Sequence, residues 1–163
     1  MSKPKIYLAG KIGKNDWRHS LIPELRGREW QHGPIEMPNY SYVGPFFVSC
    51  DHGCNHVLNS HGASAGYAFG ESPYTQRDVI QNNNTSLEQA DLLFAYVTSC
   101  DCYGTLIEIG YSLRAVERVV IAFAPGIPHK DFWYADQQAT RVHYEVRACC
   151  LPGLLAIELE TLK

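Results

Sequence analysis

The stretch Asp91-Leu92-Leu93-Phe94-Ala95-Tyr96-Val97, continuing as Thr98-Ser99-Cys100-Asp101-Cys102-Tyr103-Gly104-Thr105-Leu106-Ile107-Glu108-Ile109-Gly110-Tyr111-Ser112-Leu113, decides the fold. Its first part is a short apolar run with aromatic and β-branched members and no polar alternation, the pattern of a strand covered on both faces inside a parallel sheet. A polar turn ends it. Asp101 is placed to cap the helix that follows, Gly104 lets backbone N–H groups approach a ligand, and Leu106, Ile109, Leu113 and Val116 recur at helical spacing as one buried stripe. Glu108 falls outside that stripe and, at about 100° of rotation per residue, projects from an early turn above the carboxyl end of the strand. In open α/β sheets ligands bind at that rim. The positive end of the helix dipole favours an ionised carboxylate there, suited to a nucleophile or to stabilising a cationic transition state. The competing reading is a solvated helix glutamate.

Working outward, Lys5-Ile6-Tyr7-Leu8-Ala9 is a short apolar strand closed by Gly10, the expected first, central strand of a doubly wound sheet. A helix is predicted from Asn15 or Asp16 through Trp17, Leu21, Ile22, Leu25 and Trp30, with Pro23 bending or splitting it. The turn Gly10-Lys11-Ile12-Gly13-Lys14 suits an anionic or sugar ligand, though its glycine spacing is no nucleotide fingerprint, and the alternative is two solvated loop lysines. A second strand is expected around Ile35-Glu36-Met37. Residues 38–73, rich in Gly, Ser, His, Asn and aromatics, read as a lid or specificity insert with short strands around Phe46-Phe47-Val48. Thr75-Gln76-Arg77-Asp78 has capping-box form and leads into a helix through Val79, Ile80, Asn83, Leu87 and Ala90. Val119 to Ala124 is another buried strand, Asp131 to His143 a short aromatic-rich helix, and Leu154-Leu155-Ala156-Ile157-Glu158 the last strand.

A chain of 163 residues is expected to form one domain, able to bury about two thirds of its unfolded surface. Fourteen basic residues against 17 acidic ones, with no basic block, argue against a nucleic-acid polymer as partner. No apolar run is long enough for a bilayer and the amino terminus lacks a signal peptide's apolar core, so a cytoplasmic protein without a membrane partner is expected. The six cysteines are then free thiols. Cys50, His52, Cys54, His56 and His61 cluster as zinc ligands do, or they order the loop and present imidazoles to a base or phosphate. Their spacing lacks C-x-x-C and favours the second reading, so neither metal nor cofactor is expected.

Tyr7-Leu8-Ala9-Gly10, Asp78 before the central strand, and the run Asp101-Cys102-Tyr103-Gly104-Thr105 followed by Glu108-Ile109-Gly110-Tyr111-Ser112 together resemble the nucleoside 2-deoxyribosyltransferase family. The likeness spans most of the scaffold and omits the 38–73 insert and the carboxyl-terminal tail. It implies a single α/β domain over residues 1–163, a doubly wound, flavodoxin-like sheet of five parallel strands with a long inserted loop, assembled as a homo-oligomer. It also implies that Glu108 attacks the anomeric carbon of a deoxyribonucleoside or nucleotide, expels the base and forms a glycosyl-enzyme that a second base or water resolves. An N-glycosidic bond breaks through an oxocarbenium-like state that a nearby carboxylate stabilises and traps.

In that reading Asp78 and Asp101 are candidates for general acid and base recognition. Tyr7 orients Glu108, and Gly10, Lys11, Tyr103, Gly104, Thr105 and Ser112 contact substrate. Three departures accompany the likeness. The first turn reads Ala-Gly-Lys where the family has Ala-Gly-Pro. The family's acidic residue six before the catalytic glutamate falls on Cys102, and the chain end offers no match to the polar group a neighbouring subunit supplies. Beside transfer stand a nucleotide N-glycosidase with water as acceptor, an NAD glycohydrolase of the TIR type, and a nucleotide-binding sensor whose glutamate only hydrogen-bonds its ligand.

Overall fold

The computed structural model of the protein describes residues 2–12, 16–25, 33–46 and 76–162. Six strands form one sheet: β1 (Lys5–Gly10), β2 (Ile35–Glu36), β3 (Ser41–Gly44), β4 (Leu92–Val97), β5 (Arg118–Phe123) and β6 (Arg141–His143), in the order β2-β3-β1-β4-β5-β6. Every neighbouring pair is parallel except β2 with β3, which is antiparallel. The protein is therefore α/β, as expected, with a mostly parallel sheet that among the described residues is mixed and six-stranded rather than five-stranded and all parallel. Residues 38–46, assigned to the insert, supply β3 and the tight return from β2 that makes this pair antiparallel.

Helices cover both faces. One core joins Ile6, Leu8, Leu92, Phe94, Tyr96 and Val120 to α1 (Arg18–Leu21) and to Leu151, Leu155 and Leu159 of α5 (Leu151–Glu160). The other joins Tyr7, Leu93, Ala95, Val97, Ile121 and Phe123 to Leu87 of α2 (Gln76–Glu88) and Ile109 of α3 (Tyr103–Ala115). Alternate residues of β1, β4 and β5 thus enter opposite cores, which is why these runs show no polar alternation. All six residues of β4 are buried, and each large apolar side chain there contributes roughly 1.5–3 kcal/mol.

Two carboxyl-terminal elements differ from expectation. Leu154 to Glu158, predicted as a strand, lies in α5, where Leu151, Leu155 and Leu159 recur every four residues toward the core and Pro152 occupies a first-turn position. The edge is instead β6, so the helix predicted over 131–143 shrinks to a 3-10 turn at His129–Phe132 and α4 (Trp133–Asp136). Glu158, fully buried on α5, ties the helix to these strands: Arg118 of β5 donates at 3.2 Å, Arg141 of β6 at 3.1 Å, and the His143 ring nitrogen lies 3.0 Å away.

At the amino-terminal end Pro23 does split the predicted helix, leaving α1 and a 3-10 turn at Pro23–Leu25. Gly13, Lys14, Asn15, Trp30, the strand expected at Phe47 and Val48, the cysteine and histidine cluster from Cys50 to His61, and Thr75 lie outside the described residues. Among the described residues no helix is long and apolar enough to cross a membrane.

Candidate active site

Tyr7 sits midway along β1, level with Gly44 at the end of β3, and its ring enters the core beneath α2 and α3. Its hydroxyl donates to Glu108 Oε1 at 2.6 Å. Asn83 of α2 reaches the same oxygen, its Nδ2 donating at 3.5 Å. Gly44 leaves the space this contact needs, because a Cβ there would stand 3.0 Å from the Tyr7 ring. The glycine also has φ +151°, in the range where side-chain-bearing residues are strained.

Glu108 is half-buried, and burial pushes its carboxyl up to about 7 against the opposing effects of the Tyr7 hydrogen bond and the Arg18 charge. The helix dipole was expected to hold it ionised. Glu108 is the sixth residue of α3, past the turn within which the dipole acts, so loss of water prevails. Burial and the neighbouring Glu108 raise the Tyr7 hydroxyl well above its ordinary range. Tyr7 therefore keeps its proton and acts as a donor.

The buried stripe of α3 is also rotated from expectation. Thr105, Ile109, Ser112 and Val116 are buried, Leu106 and Leu113 flank them, and Glu108 borders the stripe rather than facing away from it. Thr105 and Ser112, expected to contact substrate, are packed between α3 and the sheet, and the Ser112 hydroxyl finds no partner among the described residues. Tyr103 and Gly104 are exposed on the first turn.

Asp101 does not cap α3. The N-cap is Cys102, with no side-chain cap bond, and Asp101 accepts from Lys11 Nζ at 2.6 Å across the carboxyl ends of β1 and β4. That hydrogen bond holds the Asp101 carboxyl below its ordinary range. Gly10, with φ +158°, lies so close to β4 that a Cβ would stand 2.9 Å from the Tyr96 carbonyl oxygen. Beside it a cavity of about 440 Å³ is lined by Lys11, Ile12, Asp16, Trp17, Tyr96, Thr98 and Ala148. Its Trp17 and Tyr96 belong to the face covered by α1 and α5, opposite Tyr7. Asp78 is half-buried in the first turn of α2, five residues before Asn83.

The structure thus brings together Tyr7 with Glu108 and Lys11 with Asp101, and it adds two residues not singled out from sequence. Arg18 is fully buried where β3 stops pairing with β1: its Nε and Nη2 donate to the Leu8 and Gly10 carbonyls at 2.8 and 2.6 Å, and its Nη1 pairs with Asp16 at 2.7 Å. It replaces the missing strand and lends positive potential to Glu108. Asn83 carried a signal in sequence, since Asn82-Asn83-Asn84 is a run of poor helix formers inside a helix, a local conflict of the kind functional sites retain. Arg18 carried none. No group of three or more His, Cys, Asp or Glu among the described residues is arranged to hold a metal ion. No protein-family model matches the chain, and no curated protein matches it significantly.

Proposed function

We propose that the protein cleaves the N-glycosidic bond of a deoxynucleoside or nucleotide through a glycosyl-Glu108 intermediate and transfers the deoxyribosyl group to another base. The observation that carries this reading is the pair Tyr7–Glu108: a desolvated carboxyl held by a phenolic donor at 2.6 Å, with Asn83 beside it and, among the described residues, no cation at salt-bridge distance. A structural ion pair would neutralise such a group, as Glu158 is neutralised elsewhere in this chain. Among the described residues the hydrogen bonds to Glu108 fall on Oε1, from Tyr7 and Asn83, and once ionised the carboxylate has no paired cation to compete with a cationic centre. Without the antiparallel β2, the order β3-β1-β4-β5-β6 corresponds to a flavodoxin-like sheet whose switch point falls at β1 and β4.

In this mechanism a Glu108 oxygen bonds to the anomeric carbon as the bond to the base nitrogen breaks, and the electron pair leaves with the base, which takes a proton. Asp101, held ionised by Lys11, is a poor proton donor, so the acid role falls to Asp78. The Asn82, Asn83 and Ser86 side of α2 offers amide and hydroxyl groups for the sugar or base. Lys11, in an exposed pair with Asp101, stands at the rim over the carboxyl ends of β1 and β4. As in the sequence-based expectation, the working unit is a homo-oligomer.

The test incubates the protein with deoxynucleosides, their 5′-monophosphates, ribonucleotides and NAD, each with and without a second free base. A new nucleoside, absent with Glu108→Ala, is the expected product. Free base alone would establish hydrolysis, and base release undiminished by Glu108→Ala would refute the mechanism.

A further inference from the structure

Outside the Glu108 site, the carboxyl-terminal approach to α5 carries two adjacent thiols in contact. Cys149 and Cys150 end a 3-10 turn, Ala148–Cys150, and both are exposed, with their Sγ atoms 4.0 Å apart. The turn is fixed on both sides. Upstream, the Val146 carbonyl accepts from the Tyr96 hydroxyl at 2.8 Å and the Val146 N–H donates to Phe123 O at 2.8 Å. Downstream, Leu151 is fully buried, and the Cys150 N–H donates back to Arg147 O at 2.9 Å. The two sulfurs are therefore held facing solvent together, with their ordering largely complete before any ligand arrives.

What such a pair can bind follows from its covalent spacing. Consecutive Cα atoms across a trans peptide stand about 3.8 Å apart, short of the roughly 4.4–6.8 Å range of ordinary disulfides. Closing a disulfide would strain the turn. The hydrogen bond shared with Cys149 also raises the Cys150 thiol, which slows the thiolate attack that disulfide exchange requires. Structural zinc calls for four ligands, and no third residue joins the pair among the described residues. A soft centre that needs two sulfurs and brings its own third substituent meets neither obstacle.

We propose that Cys149 and Cys150 form a vicinal-dithiol site that chelates a trivalent, thiophilic metalloid of the organoarsenical type. With phenylarsine oxide as the probe, the arsenic–oxygen bond is exchanged for two arsenic–sulfur bonds. Both thiol protons leave with the oxygen as one water, and arsenic stays trivalent, so neither oxidant nor reductant takes part. Ala148, the preceding residue, lines the cavity beside Lys11 and Trp17.

The experiment treats the full reduced chain with one equivalent of phenylarsine oxide and follows it by intact mass and peptide mapping. The expected result is one phenylarsenic group on the peptide holding residues 149 and 150, stable to excess glutathione and removed by dithiothreitol. Cys149→Ser and Cys150→Ser should each weaken retention about a hundredfold, because the second sulfur then no longer acts at high effective concentration. Circular dichroism should be unchanged in both, and a Cys50→Ser/Cys54→Ser chain should bind as the original does. Stripping of the original chain's adduct by glutathione, or mapping of the resistant adduct to any other cysteine, would overturn the proposal.

Discussion

At Glu108 the chain keeps a carboxyl where its ionisation is disfavoured, and two measurements follow from the sign of that shift. The folded protein holds the proton up to about 7, whereas the unfolded chain releases it near 4.5. Between those values the folded state binds more protons, so this residue's contribution lowers stability as pH rises through that window and is level outside it. Glu108→Gln removes the titration. It should match the original protein's stability at pH 4 and exceed it by about 3 kcal/mol at pH 8, read from urea midpoints at each pH. Parallel curves would mean that the carboxyl ionises normally. Tyr7→Phe acts on the same group in the opposite sense, because its hydroxyl favours the anion. The ascending limb of the activity–pH profile should move up by roughly one unit, with kcat reduced more than KM. Tyr7 and Glu108 stand 101 residues apart, and nothing local to either motif joins them: their pairing was legible only through the family resemblance. Arg18 could not be read, since its role exists only because β3 leaves β1 at Gly44 and strands two carbonyls.

Among the elements, those buried on both faces were the legible ones. β1, β4 and β5 are unbroken apolar runs, and a run of that length between turns has few other places in a soluble domain. The sheet's margins were harder to read because their stability comes from partners distant in sequence. Ser41-Tyr42-Val43-Gly44 is too short and too mixed to announce a strand, and Arg141-Val142-His143 reads as the end of a helix until Glu158 is placed behind it. The same dependence explains α5, whose Leu-Leu-Ala-Ile run fits a strand locally while its four-residue repeat over a longer window fits a helix. Glu158 therefore joins α5 to β5 and β6. Removing it leaves Arg118 and His143 partly buried without their anion. Glu158→Ala should lose about 3 kcal/mol in urea denaturation, the lower end for breaking a buried pair because the arginines can still reach water. Glu158→Gln, which keeps the shape and some hydrogen bonds, should recover part of that loss. An unchanged midpoint for Glu158→Ala would show that the cluster does not hold the edge.

For the whole molecule the decisive feature is that one sheet separates two cores while the same three strands line both. Ile6, Leu8 and Phe94 face α1 and α5, and Tyr7, Leu93 and Ala95 face α2 and α3, so neither core survives loss of the strands that serve the other. The Glu108 site is built on this arrangement, since Tyr7 reaches α3 only while β1 is paired on both sides. Leu155→Ala opens the first core and Ile109→Ala the second, each costing about 2–5 kcal/mol for a buried aliphatic truncation. If the faces fold as one unit, each variant, made in a Trp30→Phe/Trp133→Phe background so that Trp17 alone emits from the α1 face, should shift a single unfolding transition, with fluorescence and far-ultraviolet circular dichroism moving together. Separation of the two signals in Ile109→Ala, with Trp17 still native after helix is lost, would divide the molecule into two layers. It would also mean that the carboxyl at the heart of the proposed chemistry rests on the less stable of them.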